Sequence, residues 1–426
     1  MRSTLLRFLR DVDPMVPMVL VAAVVGVVSA FVVAAFKATL LALVHLYSRH
    51  DQLERAAAAL PDWARILVPT VAATLAGLLM WAGRDWLRRR GPEYMEAVRV
   101  GDGHLPPGPN LVRTGASLLA VSGGLTIGRE GAMIQLAAVV ASALGRVWTE
   151  DVVQRRLVVA SGVAAGFAGT YHAPIAGTLF VAEVILGSMR LREISAVLVA
   201  AVLGELTTQS LFVAGPLYQA RGIANVAFSD LCDAVLLGLV AGIAGPAFLW
   251  LLDTARHRFQ AAVRFVPLRM GLAGLVVGLL STVSPDVWGN GHSSVQALLT
   301  LDWPVAALVT VALLRIVAVT AVSAAGIPGG VLTIILSLGG SLGLIVFHYL
   351  LVPSSDLSSD LWALVGMGSL LAAATHAPAM SAVMVFEIAR DYDVVLAAMP
   401  ACVVASVVAN LLSRRTMYGE ALAPDG

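Results

Sequence analysis

The residues best suited to chemistry in this sequence are a charged pair between two glycines, Gly128-Arg129-Glu130-Gly131. They are the only charges in the stretch 114–145, and an ionisable pair in such apolar surroundings is costly and usually functional. Glycines let backbone approach a ligand closely, so we expect Gly128 and Gly131 to border a bound anion. A carboxylate at a helix N-terminus competes with anions for the same N–H groups. We therefore predict that Glu130 is a gate released by protonation. The alternative is a purely structural Arg129–Glu130 pair.

The composition indicates a membrane protein around this motif. Of 426 residues, 58% are hydrophobic and only 13% are charged, and the mean hydropathy is +0.86. Because soluble proteins carry about a quarter charged residues, a soluble enzyme and a nucleic-acid binder are excluded. The net charge of +1 offers no basic face for phosphates. We expect a lipid bilayer around the chain and no nucleic-acid partner.

Signatures of enzymes and metal sites are missing from the sequence. Lys37 is the only lysine, which excludes a P-loop, and no histidine begins a His-Glu-x-x-His zinc motif. The two cysteines, Cys232 and Cys402, cannot supply a disulfide framework or a zinc set. We predict no enzymatic activity, no cofactor and no metal.

Apolar segments long enough to cross a bilayer recur along the whole chain. A spanning helix needs roughly 20 apolar residues. The candidates are 15–46, 65–83, 111–146, 157–189, 192–214, 229–252, 268–283, 303–323, 325–352, 361–389 and 394–412. Several are interrupted by glycine or proline, so we predict an all-α polytopic fold of many tilted and broken helices. Broken helices at membrane depth must be buried in protein or line a watery cavity, which favours a channel or transporter.

An internal repeat divides the chain into two related halves. His172–Glu183 (HAPIAGTLFVAE) matches His376–Glu387 (HAPAMSAVMVFE), and Gly128–Gly145 matches Gly326–Gly343 in the same order. The predicted divisions are a first transmembrane half at 15–214, a linker at 215–228 and a second half at 229–418. Transporters built from two inverted halves place their site near the midplane, where broken helices direct their N-termini at an anion.

The chain ends predict the orientation in the membrane. Residues 1–14 (MRSTLLRFLRDVDP) contain three arginines among leucines, as in an amphipathic helix on a membrane surface, and show no cleavage site of a signal peptide. Because positive residues favour the cytoplasmic side, we predict cytoplasmic termini, with 419–426 as a short cytoplasmic tail.

The motif GREGAMIQ (128–135) resembles the GREGP-type motif of the CLC chloride channel and transporter family, with Ala132 where proline is usual. Other stretches similar to the family, closest to its bacterial ClcB-type branch, are YMEAV (94–98), VWGNGHSSVQ (287–296), GIPGGV (326–331), ATHAPAMS (374–381) and Met417-Tyr418. The resemblance covers nearly the whole chain. It implies passage of chloride or similar small anions, gating related to voltage, a homodimer with a pore in each subunit, and a bacterial inner-membrane location.

The resemblance also implies roles for single residues. Glu130 corresponds to the external gating glutamate, and Tyr418 to an anion-contacting tyrosine. The stretch GVLTI (330–334) lies where the family has GxFxP, so the backbone amides of Val331 and Leu332 would bind the central anion. Glu183 is a possible member of a proton path.

Two departures from the family pattern leave the mechanism open. The GSGIP motif is not found; RRGP (89–92) or Gly101-Asp102-Gly103 lies near its place, and neither supplies an obvious serine. Val184 stands where transporters often carry a proton-relay glutamate. We expect a channel-like protein with weak or no proton coupling. The alternatives are a chloride/proton antiporter, fluoride selectivity, and a secondary transporter of an organic or cationic substrate.

Three further polar residues are expected to be structural. Arg315 stands alone in its apolar segment and is predicted to pair with a buried partner or to attract anions electrostatically. His172 and His376 precede Ala-Pro at equivalent positions of the repeat, so we expect capping or loop roles for both.

Overall fold

A computed structural model describes residues 15–88, 93–187, 191–212, 217–220, 226–301, 303–350 and 359–419. The helices are α1 (Met15–Val44), α2 (Leu53–Ala59), α3 (Asp62–Ala82), α4 (Arg84–Arg88), α5 (Tyr94–Arg99), α6 (Pro107–Ser122), α7 (Glu130–Trp148), α8 (Val152–Tyr171), α9 (Pro174–Leu179, extended by a π-helix, Phe180–Leu186), α10 (Leu191–Leu211), α11 (Phe228–Ala262), α12 (Val266–Val283), α13 (His292–Thr300), α14 (Val305–Ala324), α15 (Leu332–Leu350), α16 (Ser359–Thr375), α17 (Pro378–Ala389) and α18 (Asp393–Leu412). No strand occurs in these ranges, and the all-α prediction is confirmed.

Nine of the helices in the described ranges are long and apolar enough to cross a membrane. The predicted breaks are found where glycine and proline interrupt the apolar segments. Segment 111–146 contains α6 and α7, which are separated by the loop 123–129. Segments 157–189 and 361–389 are each divided between two helices. The second helix begins at Pro174 in the first segment and at Pro378 in the second.

Small residues let the long helices pack with their backbones in contact. Helices α3 and α12 lie side by side. A Cβ at Gly278 would lie 2.7 Å from the Cα of Ile66, and one at Gly77 would lie 2.7 Å from the Cα of Pro267. Packing of this kind stabilises helix pairs in lipid, where the hydrophobic effect does not drive association.

The repeated His-Ala-Pro segments adopt the same conformation in both halves. His172 ends α8 with φ of 56°, and His376 follows α16 with φ of 57°. The proline two residues later occupies the first turn of the next helix, where its missing N–H costs nothing. The structure thus supports the capping role expected for these histidines. Helices α9 and α17, which begin there, pack against each other.

Four predicted features fall wholly or partly outside the described residues. They are the amphipathic helix at 1–14, the RRGP segment at 89–92, half of the linker at 215–228 and the tail after residue 419.

Candidate functional site

The N-termini of α7 and α15 meet in the interior of the molecule. The Gly128 N–H donates to the Gly330 carbonyl at 2.6 Å, and the Gly330 N–H donates to the Gly128 carbonyl at 3.0 Å. This pair of hydrogen bonds joins the loop before Glu130 to the loop before Leu332. The first-turn N–H groups of a helix have no acceptor within it, and the helix dipole is positive there. Two such ends brought together form a position that attracts an anion.

Glycine is needed at this junction because the two backbones touch. A Cβ at Gly128 would lie 2.7 Å from the Gly330 oxygen and would collide with the carboxylate of Glu130. A Cβ at Gly131 would lie 3.1 Å from the Gly330 nitrogen. The Gly128 N–H already has an acceptor in the Gly330 carbonyl, so in this conformation it offers no donor to an anion, and the expected place of Gly128 beside a bound anion stays a prediction.

The carboxylate of Glu130 lies in the first turn of α7 and is 4% exposed. Its Oε1 accepts a hydrogen bond from the Nδ2 of Asn290. Its Oε2 has no hydrogen-bond partner among the described residues. Leaving a buried polar atom unpaired costs free energy, so the carboxylate is incompletely satisfied in this conformation.

Asn290 was not singled out by the sequence, although its motif was. It stands between Gly289 and Gly291, which have φ of 72° and 90°. Its Oδ1 accepts from the His292 N–H at 3.2 Å, which turns its NH₂ group toward Glu130. An asparagine between two glycines in so apolar a chain is the signal that could have identified it.

No ion pair joins Arg129 to Glu130 in the described residues, which disfavours the structural alternative for this motif. Arg129 instead lines a cavity of about 60 Å³ together with Asn290, His292 and Glu54. Burial, with smaller contributions from the nearby charges of Arg129, Lys37 and His172, lowers the pKa of His292 to about 4. His292 is therefore neutral at pH 7, and Arg129 is the charged member of this lining on the cationic side.

Arg315 has the structural role that the sequence predicted. Its side chain is 1% exposed. Its Nη2 donates to the Asp286 carbonyl at 2.5 Å and to the Ser294 hydroxyl at 3.0 Å. Both partners flank the loop that carries Asn290, so Arg315 holds that loop in place.

The residues expected to bind the anion on the second half lie beside the junction. Leu332 begins α15 and is buried, and Val331 is half-buried just before it. The hydroxyls of Tyr171 and Thr333 lie 3.3 Å apart, which ties the end of α8 to the first turn of α15. Tyr171 is a second residue that the sequence did not single out.

Tyr418 packs edge-on against Phe180, with ring centroids 5.5 Å apart. The neighbouring Met417 N–H donates to the Ala374 carbonyl at 2.8 Å, which fastens this segment to α16. Burial, with a smaller contribution from Tyr418, raises the pKa of Tyr94 well above its usual value. Tyr94 and Tyr418 are therefore neutral neighbours, and a neutral phenol can donate to an anion.

Glu183 bonds to the opposite half of the molecule. Its Oε2 accepts from the Met380 N–H at 2.8 Å, in the first turn of α17. Its repeat partner Glu387 accepts from the N–H groups of Ile175 and Ala176 at 2.9 and 2.7 Å, in the first turn of α9. Each half thus caps a helix of the other, and the described contacts of Glu183 do not include Glu130.

Comparison with known proteins gives a consistent result. A family profile described as voltage gated chloride channel matches residues 78–410. A putative chloride channel protein described as ClcB-like, from Ralstonia nicotianae, is 41% identical over 95% of this chain and 96% of its own length. The voltage-gated ClC-type chloride channel ClcB of Salmonella typhimurium is 40% identical over 94% of this chain and 97% of its own.

Solved structures show the same fold at low sequence identity. A slow cyanobacterial Cl⁻/H⁺ antiporter has a TM-score of 0.83 and 22% identity, covering 97% of this chain and 98% of its own. A CLC-type fluoride/proton antiporter has a TM-score of 0.76 and 22% identity, covering 93% and 96%. With the family profile and the close relatives, these findings establish that the chain belongs to the voltage-gated chloride channel (CLC) family.

Proposed function

We propose that the chain passes chloride or a similar small anion across a bacterial inner membrane, through a pathway that crosses the junction of α7 and α15. The observation that carries this proposal is the pairing of Gly128 with Gly330. It brings two helix N-termini to one place and puts the carboxylate of Glu130 there. The amides of Gly131, Val331 and Leu332 and the hydroxyl of Tyr418 are the proposed anion donors.

Glu130 is the proposed gate. As a carboxylate it is drawn to the positive helix ends and holds the anion position with the help of Asn290. Protonation removes its charge and weakens both attractions, so an anion can replace it. Flux should therefore rise as the pH falls.

We further propose channel-like passage with weak or no proton coupling. Val184, at the place of the family's relay glutamate, is apolar and 8% exposed. Glu183 beside it is engaged as a cap of α17. A proton moving between Glu130 and the opposite side would then need water alone across an apolar span, where charge is costly.

Two observations favour the alternative function, a chloride/proton antiporter. The solved structures named above are described as Cl⁻/H⁺ and fluoride/proton antiporters, and Glu130 can itself carry a proton. Chloride and proton fluxes measured together in proteoliposomes separate the two functions. We expect chloride efflux without stoichiometric proton movement. Uphill proton transport driven by a chloride gradient at a fixed ratio would establish the antiporter, and absence of any anion flux would contradict both.

The orientation and assembly follow as further proposals. Arg84, Arg256, Arg258 and Arg264 lie at the end of the bundle where α3 finishes and α12 begins. Because positive residues favour the cytoplasmic side, we place this end and both termini in the cytoplasm. We propose a homodimer with one pathway per subunit, as the family resemblance implies.

A further inference from the structure

A second cavity lies away from the junction of α7 and α15, where α3 ends and α12 begins. It has a volume of about 500 Å³. Its lining residues are Met80, Trp81, Arg84, Leu87, Val266, Arg269, Met270 and Gly326. The lining thus combines an apolar floor with two arginines and contains no carboxylate.

Acidic side chains compensate the charges of the two arginines only in part. The guanidinium of Arg84 lies over the ring of Trp81, 4.8 Å from its centroid. It forms an ion pair with Asp85, 3.9 Å from its Nε, in which both side chains are more than half exposed. Arg269 is half-buried, and its Nε donates to the Ala325 carbonyl at 2.8 Å. The like charge of Arg256 acts on Arg269 as well. The cavity therefore has a surplus of positive charge and favours an anion.

The surroundings of the cavity are those of a membrane interface. Trp81 and Phe265, at the ends of α3 and α12, stack edge-on with centroids 6.4 Å apart. Tryptophan and other aromatic residues concentrate at headgroup level. An exposed apolar stripe runs along α3 to this point, and its members are Leu67, Val71, Leu75, Leu78 and Trp81. The spacing of three or four residues puts these side chains on one face of the helix.

We propose that this cavity binds an anionic phospholipid. The phosphate would lie between Arg84 and Arg269, and an acyl chain would follow the exposed stripe of α3. Guanidinium groups bind phosphate oxygens through paired, charge-assisted hydrogen bonds. A zwitterionic lipid has the same phosphate, but the positive charge of its headgroup weakens its net attraction to the two arginines. A free phosphate ion would satisfy the arginines but would leave the adjoining apolar stripe unused.

The site is connected to the proposed anion pathway by one hydrogen bond. Ala325 is the C-cap residue of α14, and its carbonyl accepts the hydrogen bond from Arg269. The next residue, Gly326, begins the loop that leads to Gly330. A phosphate that holds Arg269 in place would therefore steady the loop that carries the proposed anion donors. This effect on flux, unlike the binding itself, rests on the proposed function.

Binding can be measured by native mass spectrometry of the full chain purified with phosphatidylglycerol or phosphatidylcholine. We expect the protein to retain phosphatidylglycerol in preference to phosphatidylcholine. Arg84→Gln and Arg269→Gln should each reduce this retention roughly fivefold, because each basic residue near an anionic lipid contributes about 1 kcal/mol to binding. Arg264→Gln removes a charge at the same end of the bundle but outside the cavity, and should leave retention unchanged.

Three outcomes would overturn the site. They are equal retention of both lipids, an equal loss in the Arg264→Gln control, and displacement of the lipid by millimolar inorganic phosphate, which would indicate an ion site. Arg84→Gln does not touch the Ala325 hydrogen bond, so a folding defect is not expected from it.

Chloride efflux tests the connection of this site to the anion pathway. We expect the wild-type rate to depend on phosphatidylglycerol content and the Arg84→Gln rate not to. Binding without any effect on efflux would keep the site and refute only its connection to the pathway.

Discussion

The hydrogen bond from Asn290 to Glu130 is the contact through which one side-chain amide would control the proposed gate. The carboxylate has a donor for one oxygen and none, in the described residues, for the other. It is therefore held by a single side chain and by the field of the helix end. This arrangement fits the proposed gate, because a carboxylate with one unsatisfied oxygen is held less firmly than one with two donors.

Glu130→Gln should mimic the protonated gate. Glutamine has nearly the same shape but no charge, so the helix end no longer attracts it above a competing anion. We expect chloride efflux at neutral pH to approach the wild-type rate at acid pH and to lose its dependence on pH. Efflux from proteoliposomes across a pH series measures this. A mutant that keeps the wild-type pH profile would show that Glu130 is not the gate.

Asn290→Ala should move the acid activation of chloride efflux to higher pH. A hydrogen bond to a charged group is worth about 1.5–3 kcal/mol, so the midpoint should move up by roughly one unit or more. Gln296→Ala is the matched control, because Gln296 lies in α13 and the described hydrogen bonds of its side chain go to the Gln219 backbone and not to Glu130. An unchanged midpoint in Asn290→Ala would mean that this amide does not hold the carboxylate during transport.

In the interior, N-termini of helices from the first half lie next to N-termini of helices from the second half. The N-termini of α7 and α15 are joined through glycines. The N-termini of α9 and α17 are capped by Glu387 and Glu183 from the opposite half. The first pair is the proposed anion position, and the second is capped by carboxylates. The same dipole chemistry thus serves binding in one place and cohesion in the other.

Gly128→Ala should abolish or strongly reduce anion flux. The added Cβ would meet the Gly330 oxygen at 2.7 Å, which forces the two loops apart. Gly108→Ala is the control, because its Cβ would be 3.4 Å from Trp86, an ordinary contact. Efflux rates of the two purified variants, compared after equal reconstitution, test the junction. Wild-type flux in Gly128→Ala would rule out a tightly paired junction as the pathway.

The second half of the junction can be tested in the same assay. Leu332→Ala should change anion affinity only modestly, because the amide and not the side chain is the proposed donor. Inserting one residue between Gly330 and Val331 should abolish flux by turning the amides away. Normal flux after that insertion would remove this loop from the site.

Glu183→Ala distinguishes a structural role of Glu183, as a cap of α17, from a role in a proton path. Loss of a cap costs about 0.5–2 kcal/mol, so the thermal unfolding of the purified protein should begin at a lower temperature. Glu387→Ala, which removes the equivalent cap, should have a similar effect. We expect the pH profile of chloride efflux to be unchanged in both. A loss of proton flux in Glu183→Ala alone would instead assign it to a proton path.

Across the entire protein, charge and apolar surface define the direction of insertion. Basic residues gather where α3 ends and α12 begins, and exposed apolar side chains cover the flanks of the long helices. Helix α11 has 35 residues, a length of about 50 Å at 1.5 Å per residue, so it reaches from one side of a bilayer to the other. Its first turns must therefore lie opposite the basic end.

Cys232, near the start of α11, should consequently be accessible from the periplasm. Cys232 is exposed, and the other cysteine, Cys402, is buried. A membrane-impermeant maleimide added to intact spheroplasts should label the protein, and Cys232→Ser should abolish the labelling. Labelling that appears only after the membrane is permeabilised would reverse the proposed orientation.

The sequence by itself determined the class of the protein, the helical breaks, the repeat and the candidate gate. These depend on local composition and spacing: an apolar run predicts a span, and a charged pair between glycines stands out within it. The predictions for Glu130 at a helix start and for Arg315 as a buried structural group were confirmed because each follows from its own segment.

Only the tertiary structure decided which groups meet. Asn290 and Glu130 are 160 residues apart, and nothing in either segment encodes their contact. Packing of the two halves gives the Gly128 N–H its acceptor, the Gly330 carbonyl. The caps formed by Glu183 and Glu387 depend in the same way on the fit of one half against the other. Such contacts are fixed by how helices pack, and packing depends on shape over the entire interior, which no local pattern contains.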